Sequence, residues 1–181
     1  MNTKNSAVLS GNISLTPQEL SLYIDKLAQN VVEYLNRSGL KLATAESCTG
    51  GMLAQAITSV PGASAVFECG VVSYSERIKS ELLGVDPSVI ERRGVVSPEV
   101  AELMAKGAAR LSGAQVSVGI TGIAGPGGGS AEQPVGTVYV SVLKNGRFIT
   151  RNLELYRLGE LTREQIRLAA AAYSLETVLD D

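Results

Sequence analysis

Glu46-Ser47-Cys48-Thr49-Gly50-Gly51 sets a carboxylate, a hydroxyl and a thiol side by side, and the chain contains no histidine. Without imidazole there can be no Ser-His-Asp triad, Cys-His dyad or histidine metal site. Acid–base chemistry then falls to Lys, Tyr, Asp, Glu or an activated water. Ser47 is one candidate nucleophile. Cys48 is its rival, because a thiolate at the start of a helix is activated, although a small buried cysteine is an equally simple role. Tyr74-Ser75-Glu76-Arg77-Ile78-Lys79 supplies a phenol and an amine. Lys79 can act as a base only if burial or nearby cations lower its pKa from about 10.4. Alone, Lys79 reads equally well as a solvated helix lysine and Tyr74 as an edge aromatic. Glu46 could orient the amine, hold substrate, or be a satisfied polar group of the turn. The stretch Thr121-Gly122-Ile123-Ala124-Gly125-Pro126-Gly127-Gly128-Gly129-Ser130 offers amides free of side-chain bulk. It could wrap a ribose or phosphate, with a plain surface loop as the alternative. None of these segments matches G-x-S-x-G, the P-loop or the dinucleotide G-x-G-x-x-G.

The flanking periodicities place these residues. Thr16-Pro17-Gln18-Glu19 has the composition of a helix start, and Leu20, Ile24, Leu27, Val31 and Leu35 recur at helical spacing until Gly39. A strand over 41–45 leads straight into the Ser47 turn and a helix to about Ser59. Residues 66–73 have the β-formers of a buried strand, and Tyr74-Ser75 opens a helix to Leu83. Ser97-Pro98 caps a long helix to about Leu111, which feeds a strand over 115–120. Helical crossovers between three strands imply parallel neighbours whose carboxyl ends share one edge. After the glycine loop, a strand over 136–143 should return antiparallel. Asn145-Gly146 turns it into a hairpin partner over 147–155. Thr162 and Gln165 cap a final helix. Ser47, Tyr74, Thr121, the glycine loop and the segment after Tyr156 therefore belong at one edge, where open α/β sheets place ligands.

Bulk properties fit one domain: 181 residues, 45% hydrophobic, 19% charged and a net charge of −2. This is an ordinary globular balance, which argues against nucleic acid or a membrane as partner. Residues 1–15 read as a loose polar tail without a signal-peptide core, and 16–181 as the domain of a cytoplasmic protein. Two cysteines suggest free thiols rather than a disulfide. A phosphate-transfer enzyme would need a carboxylate cluster for metal, and none stands out.

In combination, Thr44-Ala45-Glu46-Ser47-Cys48-Thr49-Gly50-Gly51, Val72-Ser73-Tyr74-Ser75 with Lys79, Val96-Ser97, Gly122-Ile123-Ala124-Gly125-Pro126 and Pro134-Val135-Gly136-Thr137-Val138 resemble the CinA C-terminal-domain family. The resemblance runs from about Leu27 to the C-terminus. It implies a three-layer α/β/α domain with a mixed, mostly parallel sheet. It also implies hydrolysis of nicotinamide mononucleotide to nicotinate mononucleotide and ammonia without metal or cofactor. By the same resemblance Ser47 is the nucleophile, with Tyr74 and Lys79 as its partners, and Thr121 is the hydroxyl before the glycine loop. Members often have Gly-Asp-Arg before the last helix; here the residues are Leu161-Thr162-Arg163, and Arg163 keeps the guanidinium that can grip phosphate.

The expected mechanism has neutral Lys79, acting directly or through Tyr74, take the Ser47 proton while amides of the Cys48–Gly51 turn receive the oxyanion. Glu46, Thr49, Gly50, Gly51, Thr121, Gly122, Gly125 and Arg163 are expected to line the substrate site. A non-catalytic nucleotide-binding module would display the same turn and loop. The helix-rich exterior would support a homodimer, although the sequence specifies no interface.

Overall fold

The structure is a computed structural model that describes residues 6, 8 and 16–180. The elements are α1 (Pro17–Ser38), β1 (Leu42–Glu46), α2 (Met52–Thr58), β2 (Phe67–Val72), α3 (Glu76–Leu83), α4 (Pro87–Arg93), α5 (Pro98–Ser112), β3 (Val116–Gly122), β4 (Val138–Lys144), β5 (Arg147–Asn152) and α6 (Arg163–Leu179). The starts follow from the local chemistry. Thr16, Ser75, Asp86, Ser97 and Thr162 each accept an early amide of their helix. Thr162 and Gln165 form a reciprocal capping box. The short helix α4 is an addition to the sequence reading, although Asp86-Pro87 is an adequate start signal. The tail expected over 1–15 falls outside the described residues except at Ser6 and Val8. Both are buried, and the Ser6 hydroxyl bonds Glu176 of α6.

The sheet order is β2-β1-β3-β4-β5. β1 runs parallel to β2 and to β3, while β4 and β5 are antiparallel neighbours, as the crossovers and the glycine loop imply. Asn145 and Gly146, with φ of 53° and 72°, make the expected two-residue hairpin turn. The strand expected to be buried, β2, is instead an edge strand. β3 takes the other side of β1, so β2 has one neighbour and exposes alternate residues, with Val72 half exposed.

Strand alternation divides the core in two. Leu42 of β1 and Val116, Val118 and Ile120 of β3 face α1, α2 and α6. Ala43 and Ala45 face α3, α4 and α5. The result is the three-layer α/β/α domain. The α5 layer lies so close that a Cβ on Gly119 of β3 would stand 2.0 Å from the Ala101 carbonyl oxygen and 2.6 Å from the Ala105 nitrogen. Both obstacles are helix backbone and cannot step aside. Gly119→Ala should therefore destabilise the domain by about 3 kcal/mol or more, read as a lower urea midpoint. A variant with the wild-type midpoint would show that α5 can be displaced at little cost.

Candidate active site

β1 ends at Glu46 and the chain turns at once. The amide of Ser47 donates to Ile120 O at 3.0 Å, and that of Ser73 donates to Glu46 O at 2.9 Å, so the ladder holds both ends beside β1. Ser47 is thereby fixed between the carboxyl ends of β2 and β3. On the β2 side, α3 begins at the Ser75 cap and carries Lys79 in its second turn, directed back at the sheet edge. Lys79 is 1% exposed, yet among the described residues its amine has no carboxylate partner in hydrogen-bond range. Its Nζ lies 3.0 Å from Ser47 Oγ and 2.6 Å from the Ser73 carbonyl oxygen. Burial lowers its pKa from 10.5, and nearby Cys48 and Glu76 oppose that effect only in part. A neutral amine donating to the Ser73 carbonyl keeps its lone pair for the Ser47 proton.

Cys48 is buried, and its thiol is pushed up to about 11 by desolvation, with Glu46 adding to the rise. Of the two adjacent candidates, it is the Ser47 hydroxyl that lies within hydrogen-bond distance of the Lys79 amine.

Glu46 resolves to the third of its possible roles. Its carboxylate is fully buried and accepts from the amides of Gly51, Leu53 and Ala54 at 3.0, 3.1 and 2.8 Å. It therefore fastens α2 to the end of β1 and consumes amides that the sequence alone left available for an anion. The Gly50 amide closes the turn on Ser47 O at 3.1 Å. The Cys48 and Thr49 amides remain without a carbonyl or carboxylate acceptor among the described residues, and they lie beside the Cys48 sulfur, a weak acceptor. Among the described residues the buried Thr49 and Ser73 hydroxyls, next to this turn, have no hydrogen-bond partner.

Arg163, in the first turn of α6, donates to Gly125 O at 2.5 Å and to the Tyr74 hydroxyl at 2.9 Å. It ties the glycine loop to the β2 edge across the mouth of the site. Tyr74 is 64% exposed and has no hydrogen bond to Ser47 or Lys79. The phenol therefore does not stand between the Ser47 hydroxyl and the Lys79 amine.

Thr121 shares the α5-facing register of Ser117 and Gly119, the side of the sheet on which α3 brings Lys79 to Ser47, and its hydroxyl donates to Val95 O at 2.8 Å. A Cβ on Gly122 would meet Val138 and the Thr137 carbonyl within 2.9 Å, so that glycine admits the start of β4.

Arg167, one turn beyond Arg163, was not singled out in the sequence. Its Nε and Nη2 donate to Cys48 O and Thr49 O at 3.1 and 2.8 Å. The i, i+4 spacing from Arg163 puts both guanidiniums on one helix face, which was the available signal. Away from this edge, α3 and α4 border a groove of about 620 Å³ lined by Glu76, Ile90 and Val95, which includes neither Ser47 nor Lys79. Among the described residues no group of three or more His, Cys, Asp or Glu is placed to hold a metal ion. No helix among them is long and apolar enough to cross a membrane.

Fold and site together define a three-layer α/β domain in which a buried Lys79 meets a partly buried Ser47 at the carboxyl edge of the sheet. The profile of the CinA C-terminal domain matches residues 24–181, and the chain belongs to that family. It is 45% identical over 157 residues to the nicotinamide-nucleotide amidohydrolase PncC of Enterobacter agglomerans, covering 86% of this chain and 93% of the relative. It is 48% identical over 149 residues to a CinA-like protein of Akkermansia muciniphila, covering 82% of this chain and 35% of the relative. The chain thus spans about a third of the length of such CinA-like relatives. Among solved structures, the competence/damage-inducible protein CihA of Agrobacterium tumefaciens superimposes with a TM-score of 0.82 at 41% identity, covering 87% of this chain and 94% of the other. The CinA-superfamily protein of Escherichia coli gives 0.81 at 33%, covering 86% and 88%.

Proposed function

We propose that the chain hydrolyses the carboxamide of nicotinamide mononucleotide to the carboxylate and ammonia. The observation that carries this reading is the buried, carboxylate-free Lys79 amine 3.0 Å from Ser47 Oγ. The amidohydrolase relative, matched over nearly its whole length, supplies the substrate class. Lys79 accepts the Ser47 proton as Oγ bonds to the carboxamide carbon. The oxyanion settles on the Cys48 and Thr49 amides. The proton held by Lys79 passes to the departing nitrogen, which leaves as ammonia. Lys79 then takes a proton from water, whose oxygen attacks the acyl ester, and Ser47 Oγ regains a proton as the carboxylate is released. Arg163 still has N–H groups to offer a phosphate beyond those holding Gly125 and Tyr74, and the glycine loop adds amides.

Ammonia release by the purified protein from nicotinamide mononucleotide and from nicotinamide tests the assignment. A charge-assisted phosphate contact contributes about 1.5–3 kcal/mol. The mononucleotide should therefore be favoured by about 10²-fold in kcat/KM. Equal turnover of the two would remove the phosphate site from this reading. Tight binding of the mononucleotide without ammonia release would instead make the chain a nucleotide-binding module.

A further inference from the structure

Arg167 meets no substrate in the scheme above, yet its guanidinium joins α6 to the nucleophile turn through the carbonyls of Cys48 and Thr49, at 3.1 and 2.8 Å. In a trans peptide the C=O and the following N–H point in opposite directions. Holding Cys48 O therefore aims the Thr49 amide away from α6. Holding Thr49 O likewise aims the Gly50 amide, and that one is closed on Ser47 O at 3.1 Å. Among the described residues the Thr49 amide, two residues from Ser47, is left with no carbonyl or carboxylate acceptor and only the weakly accepting Cys48 sulfur beside it. The Met52 amide also reaches Thr49 O, at 3.3 Å, whereas Cys48 O is held by Arg167. Gly50 has a φ of 62°, and Glu46 grips the chain only from Gly51 onward. The planar fork also fits closely, since a Cβ on Gly50 would lie 3.1 Å from Arg167 Nη2.

We infer that Arg167 is a positioning residue that aims the Thr49 amide at the oxyanion of the reaction, a role that rests on the serine-hydrolase reading of Ser47. Donors of this kind act on the transition state far more than on bound substrate, and loss of one costs about 10²- to 10³-fold in kcat. Misaiming one should cost somewhat less. Arg167→Ala is expected to lower kcat for nicotinamide mononucleotide about 10- to 100-fold with KM within about twofold. Low-millimolar guanidinium should restore part of that rate. Arg167→Lys, which keeps the charge and stem but lacks the fork, should fall between the two and carries the test if the alanine variant does not fold. A second readout needs no nucleotide: the rate at which a sulfonyl fluoride modifies Ser47, followed by mass spectrometry, should drop about tenfold in either variant.

Folded variants with wild-type kcat and wild-type labelling overturn the inference. So does a raised KM at unchanged kcat, which would make Arg167 a substrate ligand, or a loss of rate that follows thermal stability and resists guanidinium. A wild-type protein that releases no ammonia but labels at Ser47 in an Arg167-dependent way would refute the nucleotide assignment and leave this inference standing. One whose Ser47 is not labelled refutes both.

Discussion

Ser47→Ala is expected to slow ammonia release from nicotinamide mononucleotide by about 10⁴-fold or more, while the fold and nucleotide binding survive. The side chain is only partly buried and its amide, not its hydroxyl, is part of the β1–β3 ladder, so alanine removes the attacking oxygen and leaves the turn intact. The neighbouring Cys48→Ala is the control. Its thiol is pushed up to about 11 by burial, which disfavours the thiolate at neutral pH. Cys48→Ala should retain the rate within about fivefold and lose about 1–2 kcal/mol of stability, the cost of a small core void. Steady-state kinetics and thermal unfolding of both variants decide the matter. An inactive Cys48→Ala beside an active Ser47→Ala would transfer the nucleophile to the thiol.

Replacing Lys79 should be nearly as damaging. General-base assistance contributes about 10²- to 10⁴-fold, and Lys79→Arg and Lys79→Met should each lose about 10³-fold in kcat/KM. Arginine keeps the charge but cannot release its proton in the working range, so similarity to methionine would identify the lost function as proton transfer. The direction of pH dependence follows from burial. Desolvation lowers the folded-state pKa of Lys79 below its ordinary 10.5. Wild-type kcat/KM should rise with pH through that lowered value as the amine becomes neutral. Stability has the same sign: below the folded value both states hold the proton, whereas between it and the unfolded value of about 10.4 the unfolded chain holds more. Folding should therefore strengthen with rising pH across that interval, and Lys79→Met should lack the effect. Circular dichroism during urea titration at several pH values, beside the pH–rate profile, provides the measurement. A folded Lys79→Arg with most of the wild-type rate would leave Lys79 a structural residue.

Much of the site was legible because its parts are announced locally. A strand followed without a spacer by Ser47, and helix caps at Ser75, Ser97 and Thr162, are short-range signals that specify where elements start. Two helical crossovers then force β1, β2 and β3 to end at one edge, so the convergence of Ser47 with Lys79 follows from connectivity. The resemblance to the family rests on the same ordered motifs, which the profile match over 24–181 bears out.

Sequence by itself determined the class of domain, the edge on which chemistry gathers and, by the lack of histidine, that any acid–base chemistry must use a group other than imidazole. Only the tertiary structure decided what each polar group faces. Thr121 reads as a site hydroxyl in the sequence, and the register sets it on the α5-facing side with its hydroxyl on Val95 O. Glu46 had three readings until its carboxylate met three amides of the following turn and helix. Tyr74, on one of the two proton routes the sequence left open, accepts from Arg163 and has no hydrogen bond to Ser47 or Lys79. Arg167 went unnoticed because its partners precede it by 119 and 118 residues. Propensity and periodicity report on a few neighbouring residues, whereas a hydrogen bond needs two groups within about 3 Å and aligned. That condition is set by how β1, β3 and α6 pack, at separations where no local pattern carries the information.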